Sequence, residues 1–411
     1  MNPDDLFLFP RQWMDDEATS VSDLVKQWAE KEILSKRMDY RENYGTFFSK
    51  KRATLNLTIG LQRLMLPSEH GGFGWNTPAH APGILTIASD IGRADASIGV
   101  SSALMYAVFA THTMEHNLNT KLCEALAPLF MADEIRTPTL ILPGAGYAEK
   151  ETPLFKGRSI LVQATSVKGG YLISGENLRP FAAGAMADLF CVVCAGKNGT
   201  PCIAFIPGDA PGIRRGTAFK TTGLNALENA DITFTEVKIA RENLMEGEPA
   251  VEELYTWLNL LLGGVSLGAG INAYEIFRDW SENRVIKGEG LLKENPLCAC
   301  VLADVADEIA TARLLLYDLA QMISSPGSWG DASALHLFTY AAMIGCRVQQ
   351  GVLRAINRGM ELMGSAGYAK EWHVEKHWRD VKTIGSLLSG VGAEGPVRMD
   401  TARFFYDCNE I

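Results

Sequence analysis

The sequence predicts an α+β protein built from an N-terminal helical domain, a central β-barrel or sandwich domain and a C-terminal four-helix bundle. Three observations support this. In the first third, apolar residues recur at three- and four-residue spacing over 18–38 and 96–113, the period of a helix buried on one face. From residue 137 to about 245 the chain changes to short apolar or alternating runs, TLILPG, SILVQATS, GYLISG, DLFCVVCAG and PCIAFIPG. Gly, Pro, Asn or Lys bound them, which is the pattern of strands and turns. Four long amphipathic segments then follow at about 251–285, 295–325, 331–366 and 371–388, with a shorter one near 396–408. Short connections between long helices favour an antiparallel bundle. The expected domains are 1–136, 137–245 and 246–411.

Taken in order, the elements agree with the bulk composition. The 411 residues suffice for two or three domains, and 47% hydrophobic with 21% charged residues suits a globular protein with large cores. Within the first domain LPSEHGGFGWNTP is dense in Gly and Pro and reads as a loop. A formal net charge of −10 argues against nucleic-acid binding, which needs a clustered basic surface. The N-terminus MNPDDLFLFPRQWMDDE lacks the basic and apolar regions of a signal peptide. Apolar stretches such as LNLLLGGVSLGAGINA are broken by Gly, Ser and Asn, so no membrane-spanning helix is expected. Cys191 and Cys194 form a C-x-x-C inside FCVVCA, without polar flanks or a second ligand pair, and read as strand residues rather than a metal site. The expectation is a reduced, cytoplasmic protein with no metal.

Several motifs narrow the reading. GLQRLMLPSEHGGFG at 60–74, TGLNALENADITFTEVKIARENLMEGE at 222–248, Arg284 with Gly288, LADVADEIATARLLLY at 302–317, and ELMGSAGYAKEWHVEKHWRD at 361–380 fall in a fixed order. In that order they resemble the signatures of the FAD-dependent acyl-CoA dehydrogenase family across nearly the whole chain. The resemblance implies FAD as cofactor, an acyl-CoA thioester as substrate, an electron-transferring flavoprotein as acceptor, and a homodimer or homotetramer, with a hetero-oligomer as the alternative. It implies Arg284 as a pyrophosphate clamp reaching FAD across a subunit interface, with Gly288 beside it; a guanidinium makes paired charge-assisted bonds to phosphate. The ordinary alternative for Arg284 is a solvated helix-end cation. Gly364 and Gly367 would allow close backbone approach to phosphate, and Asn295 would replace a family Gln. Leu140, Ile141, Pro180, Phe181 and Ala182 would line the flavin.

The departures from the family are as informative. Ile141 and Tyr147 stand where hydroxyl residues are usual, Ala182 loses another, and Asn225, Leu227 and Asn229 replace Arg, Ser and Thr. Glu361 replaces a Gln and brings a negative charge to the expected pyrophosphate region. The family's base is a carboxylate that removes the α-proton, held where burial raises its pKa. After Arg379-Asp380-Val381-Lys382, that position falls on Leu388 or, with one inserted residue, on Ser389. The family's other base position, on the first bundle helix, falls on Leu258, beside Asn259. Glu394 is the replacement that sequence proximity suggests, with a solvated turn carboxylate as its ordinary reading. Asp90 and Asp95 are the second option, because family members acting on alicyclic esters can use an aspartate from this region. Asp95 also suits a helix N-cap before ASIGV. The expected function is dehydrogenation of an unusual acyl-CoA, alicyclic or dicarboxylic, by a relocated carboxylate. The alternatives are a non-catalytic subunit of a heteromeric dehydrogenase and a repurposed acyl-CoA-binding flavoprotein.

Overall fold

The computed structural model describes residues 6–38, 50–144, 152–286, 288, 290–387 and 394–408. Helix α1 (Asp16–Trp28) starts where the Asp15 side chain accepts a hydrogen bond from Ala18 N at 2.6 Å, and it buries Val21, Val25 and Trp28. It runs on through one π-helical turn to Leu34. Helices α2 (Ala81–Ala94) and α3 (Ala96–Thr113) are separated by Asp95, whose extended backbone (φ −161°) ends one helix and caps the next. Every residue of α3 is buried, so it is a central core helix. Helix α4 (Thr120–Met131) completes this region.

The β region is an eight-stranded sheet. Its strands are β1 (Pro138–Ile141), β4 (Gln163–Val167), β5 (Gly170–Leu178), β6 (Leu189–Ala195), β7 (Pro201–Pro207), β8 (Ile213–Arg215), β9 (Ile232–Ala240) and β10 (Leu244–Glu246). The order is β10-β7-β6-β4-β5-β9-β8, with β1 parallel to β6. A separate hairpin, β2 (Leu154–Phe155) with β3 (Arg158–Ser159), lies off the sheet. Strand β6 shows why this unit packs as it does. Its side chains alternate faces with period two. Cys191 and Val193 enter the large core shared with the helices, while Phe190, Val192 and Cys194 enter the sheet's own core. Cys191 and Cys194 therefore sit on opposite faces, and burial pushes both thiols up.

The bundle consists of α5 (Glu248–Asn283), α6 (Pro296–Ile323), α7 (Leu335–Met363) and α8 (Val374–Leu387), followed by α9 (Glu394–Tyr406). Strands β11 (Val285–Ile286) and β12 (Gly290–Leu291) form a small ribbon after α5. The sequence expectation of no membrane-spanning helix needs one correction. Helix α5, with 36 residues, is long and apolar enough to cross a membrane by length and composition. Its most apolar window is entirely buried inside the fold, because α5 is the helix around which the others pack. Helices α2 and α5 cross so closely that a Cβ on Gly268 would lie 2.0 Å from the carbonyl oxygen of Ser89. No side chain other than hydrogen fits there.

Candidate functional site

The structure brings together the five residues expected along a flavin ring. The backbone N–H of Phe181 donates to the carbonyl of Leu140 at 2.8 Å, and Thr139 Oγ1 donates to the carbonyl of Ala182. The end of β1 and segment 180–182 thus form one wall, with Leu140, Ile141, Pro180, Phe181 and Ala182 all buried. The segment turns through Ala183 in the left-handed region (φ 61°). Asn229 clasps this turn: its Nδ2 donates to the carbonyl of Pro180 at 2.9 Å, and its Oδ1 accepts from Gly184 N at 3.0 Å. The wall is apolar, as the sequence departures require. Tyr147 lies outside the described residues.

A second set lies at the far end of α5. Arg284 caps that helix, is exposed, and sits 5.6 Å over the Trp280 ring. Trp280 meets Trp372 edge-on at 4.7 Å, which joins this end to the turn after α7. Gly288 (φ +89°) and Gly364 (φ +62°) have no atom within 4 Å of where a Cβ would stand. Gly367 is different: it is buried against the backbone of Met360 and serves packing. Asn295 caps α6, its Oδ1 accepting from Leu297 N at 3.0 Å and Cys298 N at 3.3 Å. Glu361 accepts from Asn357 Nδ2 at 2.8 Å and from Arg358 Nη1 at 3.2 Å, so its charge is already partly balanced.

The two aspartates are firmly held. Asp95 Oδ1 accepts from Ser97 N at 2.8 Å and Ile98 N at 3.1 Å, and its Oδ2 accepts from Lys376 Nζ. Lys376 also reaches Asp380 at 2.5 Å, and Asp380 Oδ1 accepts from Leu224 N at 2.7 Å. This fully buried triad ties α3, α8 and the β8–β9 connection together, and its two carboxylates hold Lys376 protonated. Asp90 lies elsewhere, at a cavity of about 20 Å³ shared with Phe7, Phe9 and Lys26. Its Oδ2 accepts from Ser22 Oγ at 2.7 Å, and Lys26 stands 3.8 Å away. Burial raises its pKa to about 6.

At the two usual base positions no carboxylate appears among the described residues. Leu258 is fully buried, and Asn259 donates to the carbonyl of Tyr255 at 2.8 Å. Leu388 and Ser389 lie outside the described residues. Glu394 is the first residue of α9, and its side chain is likewise outside them. The sequence reading missed Asn229 as a clasp and Lys376 as the triad centre. The i,i+4 spacing of Lys376 and Asp380 was a usable signal for the latter.

This donor set suits a flavin dinucleotide. An exposed guanidinium fits a pyrophosphate, open positive-φ glycines allow close backbone approach, and the apolar wall fits a ring. Helical region, β unit and bundle follow one another in this order along the chain.

Comparison with known proteins agrees. Residues 260–388 match the family model described as acyl-CoA dehydrogenase, C-terminal domain. A probable acyl-CoA dehydrogenase, YngJ, of Bacillus subtilis (strain 168) is 25% identical over 381 residues, covering 90% of this chain and 93% of that protein. Cyclohex-1-ene-1-carbonyl-CoA dehydrogenase of Syntrophus aciditrophicus (strain SB) is 23% identical, covering 89% and 85% respectively. The solved butyryl-CoA dehydrogenase from Megasphaera elsdenii superposes with a TM-score of 0.77 at 17% identity, covering 95% of this chain and 98% of that one. The chain is thus similar to acyl-CoA dehydrogenases over nearly its full length, and its residues 260–388 match that family's C-terminal domain.

Proposed function

We propose that the protein is an FAD-dependent dehydrogenase of an acyl-CoA thioester, acting on an alicyclic or dicarboxylic acyl group through a carboxylate moved from the family's usual places. The observation that carries this reading is the near full-length match to dehydrogenases, one of them named for an alicyclic acyl-CoA. Arg284, Gly288 and Gly364 would hold the dinucleotide end, and Leu140, Ile141, Pro180, Phe181 and Ala182 the ring. The bound flavin supplies a two-electron acceptor, and the protein supplies position and electrostatics.

Glu394 takes the α-proton: the carbon–hydrogen bond breaks and the proton passes to its carboxylate. Glu394 is preferred because both oxygens of Asp95 are engaged and Asp90 faces the N-terminal segment rather than the β wall. In the anaerobic flavin-loaded protein, Glu394→Gln should slow flavin reduction by about 10²-fold or more, the usual scale for a lost general base. Undiminished reduction in this variant would remove Glu394 from the role. The partner that would take electrons from a bound flavin is an electron-transferring flavoprotein, and the proposed enzyme is a homodimer or homotetramer in the cytoplasm. All eight cysteines are free thiols, which suits a reduced compartment.

A second reading has its own support. The hydroxyls lost at Ile141 and Ala182, together with the lost base positions, suit a non-catalytic subunit that shares a flavin site with a partner. That reading expects a colourless protein when expressed alone, and flavin only with the partner.

A further inference from the structure

Ala183 (φ 61°) and Leu224 (φ 55°) both hold left-handed backbone without being glycine. Such a conformation costs energy and persists only where its surroundings over-determine it. The β8–β9 connection reaches both. At one end it is fixed to the bundle. Leu224 N donates to Asp380 Oδ1 of α8 at 2.7 Å, and Arg379 Nη1 donates to Asn225 Oδ1 at 2.8 Å. A Cβ on Gly223 would stand 2.4 Å from the Arg379 carbonyl oxygen, so backbone meets backbone there. Leu224 and Leu227 are buried, and Leu227 N donates to the Leu224 carbonyl at 2.9 Å, which closes a tight turn.

At the other end stands Asn229, which is buried and makes three hydrogen bonds. Its Nδ2 donates to the Pro180 carbonyl, and its Oδ1 accepts from Gly184 N and, at 3.1 Å, from Ala230 N. The bonds to Pro180 and Gly184 bracket Phe181, Ala182 and Ala183. Beside them the Glu228 carbonyl accepts from Ala185 N at 3.1 Å. The fit is tight: a Cβ on Gly184 would stand 2.6 Å from Pro180 Cγ and 2.8 Å from Asn229 Oδ1. Phe181 N and the Ala182 carbonyl are in turn bonded to Leu140 and Thr139 of β1. One buried amide therefore joins the turn that carries Phe181 and Ala182 to a connection anchored on α8. Removing it would leave the Pro180 carbonyl and two backbone N–H groups without their partner.

We propose that Asn229 is a positioning residue for the flavin ring: it holds Phe181 and Ala182 in register with the end of β1, and the bond from Leu224 N to Asp380 carries the position of α8 to that wall. This rests on the reading of Leu140, Ile141 and residues 180–182 as the ring site. Asn229 acts through the turn and not on the reacting atoms.

The test uses the full chain with FAD itself as the probe. Its readouts are the FAD dissociation constant, the visible circular dichroism of the bound flavin and amide hydrogen exchange. The isoalloxazine ring is achiral, so its circular dichroism reports how the protein holds it. In the wild-type protein FAD should slow exchange at 140–141 and 180–185 by about tenfold or more, because a ligand suppresses local opening of the segment it contacts. Asn229→Leu, close in volume and without polar atoms, should raise the FAD dissociation constant by about tenfold or more, the scale of buried hydrogen bonds left unmade. It should also alter the flavin's circular dichroism and speed exchange at 180–185, while β6 and β7 keep their protection. Asn229→Thr retains one hydroxyl and should lie between the two. Gly184→Ala leaves Asn229 in place but drives a methyl against its Oδ1, so it should reproduce the altered circular dichroism even if Asn229→Leu fails to fold. A folded Asn229→Leu with a lowered Tm but unchanged FAD affinity and circular dichroism overturns the proposal. The two failures separate cleanly. If FAD leaves exchange at 140–141 and 180–185 of the wild type untouched, the ring reading falls and the proposal with it. If FAD protects them while Asn229→Leu holds the flavin as the wild type does, only the positioning role falls.

Discussion

Asp90 and Asp95 stand five residues apart, and their surroundings assign them different work. Asp95 caps a helix and accepts from Lys376; Asp90 is buried with a single hydroxyl donor and a lysine at 3.8 Å. Burial raises the pKa of Asp90 from 3.8 to about 6. The folded protein therefore binds this proton more tightly than the unfolded chain. The stability contributed is fully present below pH 3.8 and is lost as pH rises through 6, a fall of about 3 kcal/mol at most. Asp90→Asn should flatten that part of the profile and raise stability near pH 7, as read by urea unfolding between pH 4 and 7. Lys376 makes the opposite case. Lys376→Met would leave Asp95 and Asp380 buried together without their cation. Stability should drop by about 3–5 kcal/mol, the range for breaking a buried pair, measurable as a shift in the urea midpoint.

At the scale of elements, much was legible before any coordinates. The segment 96–113 is helical over those residues, and the runs GYLISG, DLFCVVCAG and PCIAFIPG lie in β5, β6 and β7. Periodicity and bounding turn residues are local signals, and they sufficed. The end of β1 and segment 180–182 lie side by side, because Phe181 N donates to the Leu140 carbonyl. What was not legible depends on distance in sequence. Arg158 Nη2 donates to Asp400 Oδ2 across 242 residues, and neither lies in a motif. Asn229 looked like a lost hydroxyl and proved to be the clasp of the 180–184 turn, a contact across 45 to 49 residues. The membrane question shows the same limit, since length and apolarity cannot distinguish a spanning helix from α5 wrapped by its own fold. Close packing there gives a sharp test. Gly268→Ala would drive a methyl into the Ser89 carbonyl and the Arg93 amide nitrogen. It should destabilise by about 1–3 kcal/mol or more, read as a lowered Tm, despite alanine's better helix propensity.

At the scale of the whole molecule, the sequence departures and the geometry converge on one question. The fold matches that of the solved butyryl-CoA dehydrogenase, while the residues that the proposed function would set at the flavin edge and at the proton differ from the usual ones. Leu297 is 80%, Val285 64% and Leu314 60% exposed, and Val285 directly follows Arg284. The proposed oligomer would cover these side chains. Sedimentation should then give a dimer or tetramer, and Leu297→Glu should shift it toward smaller species. The central claim remains the chemistry. The most direct measurement is anaerobic titration of the flavin-loaded protein with a panel of straight-chain, alicyclic and dicarboxylic acyl-CoA thioesters, following the visible flavin band. The account predicts bleaching of that band by an alicyclic or dicarboxylic member. A flavin that stays oxidised against the entire panel would contradict it.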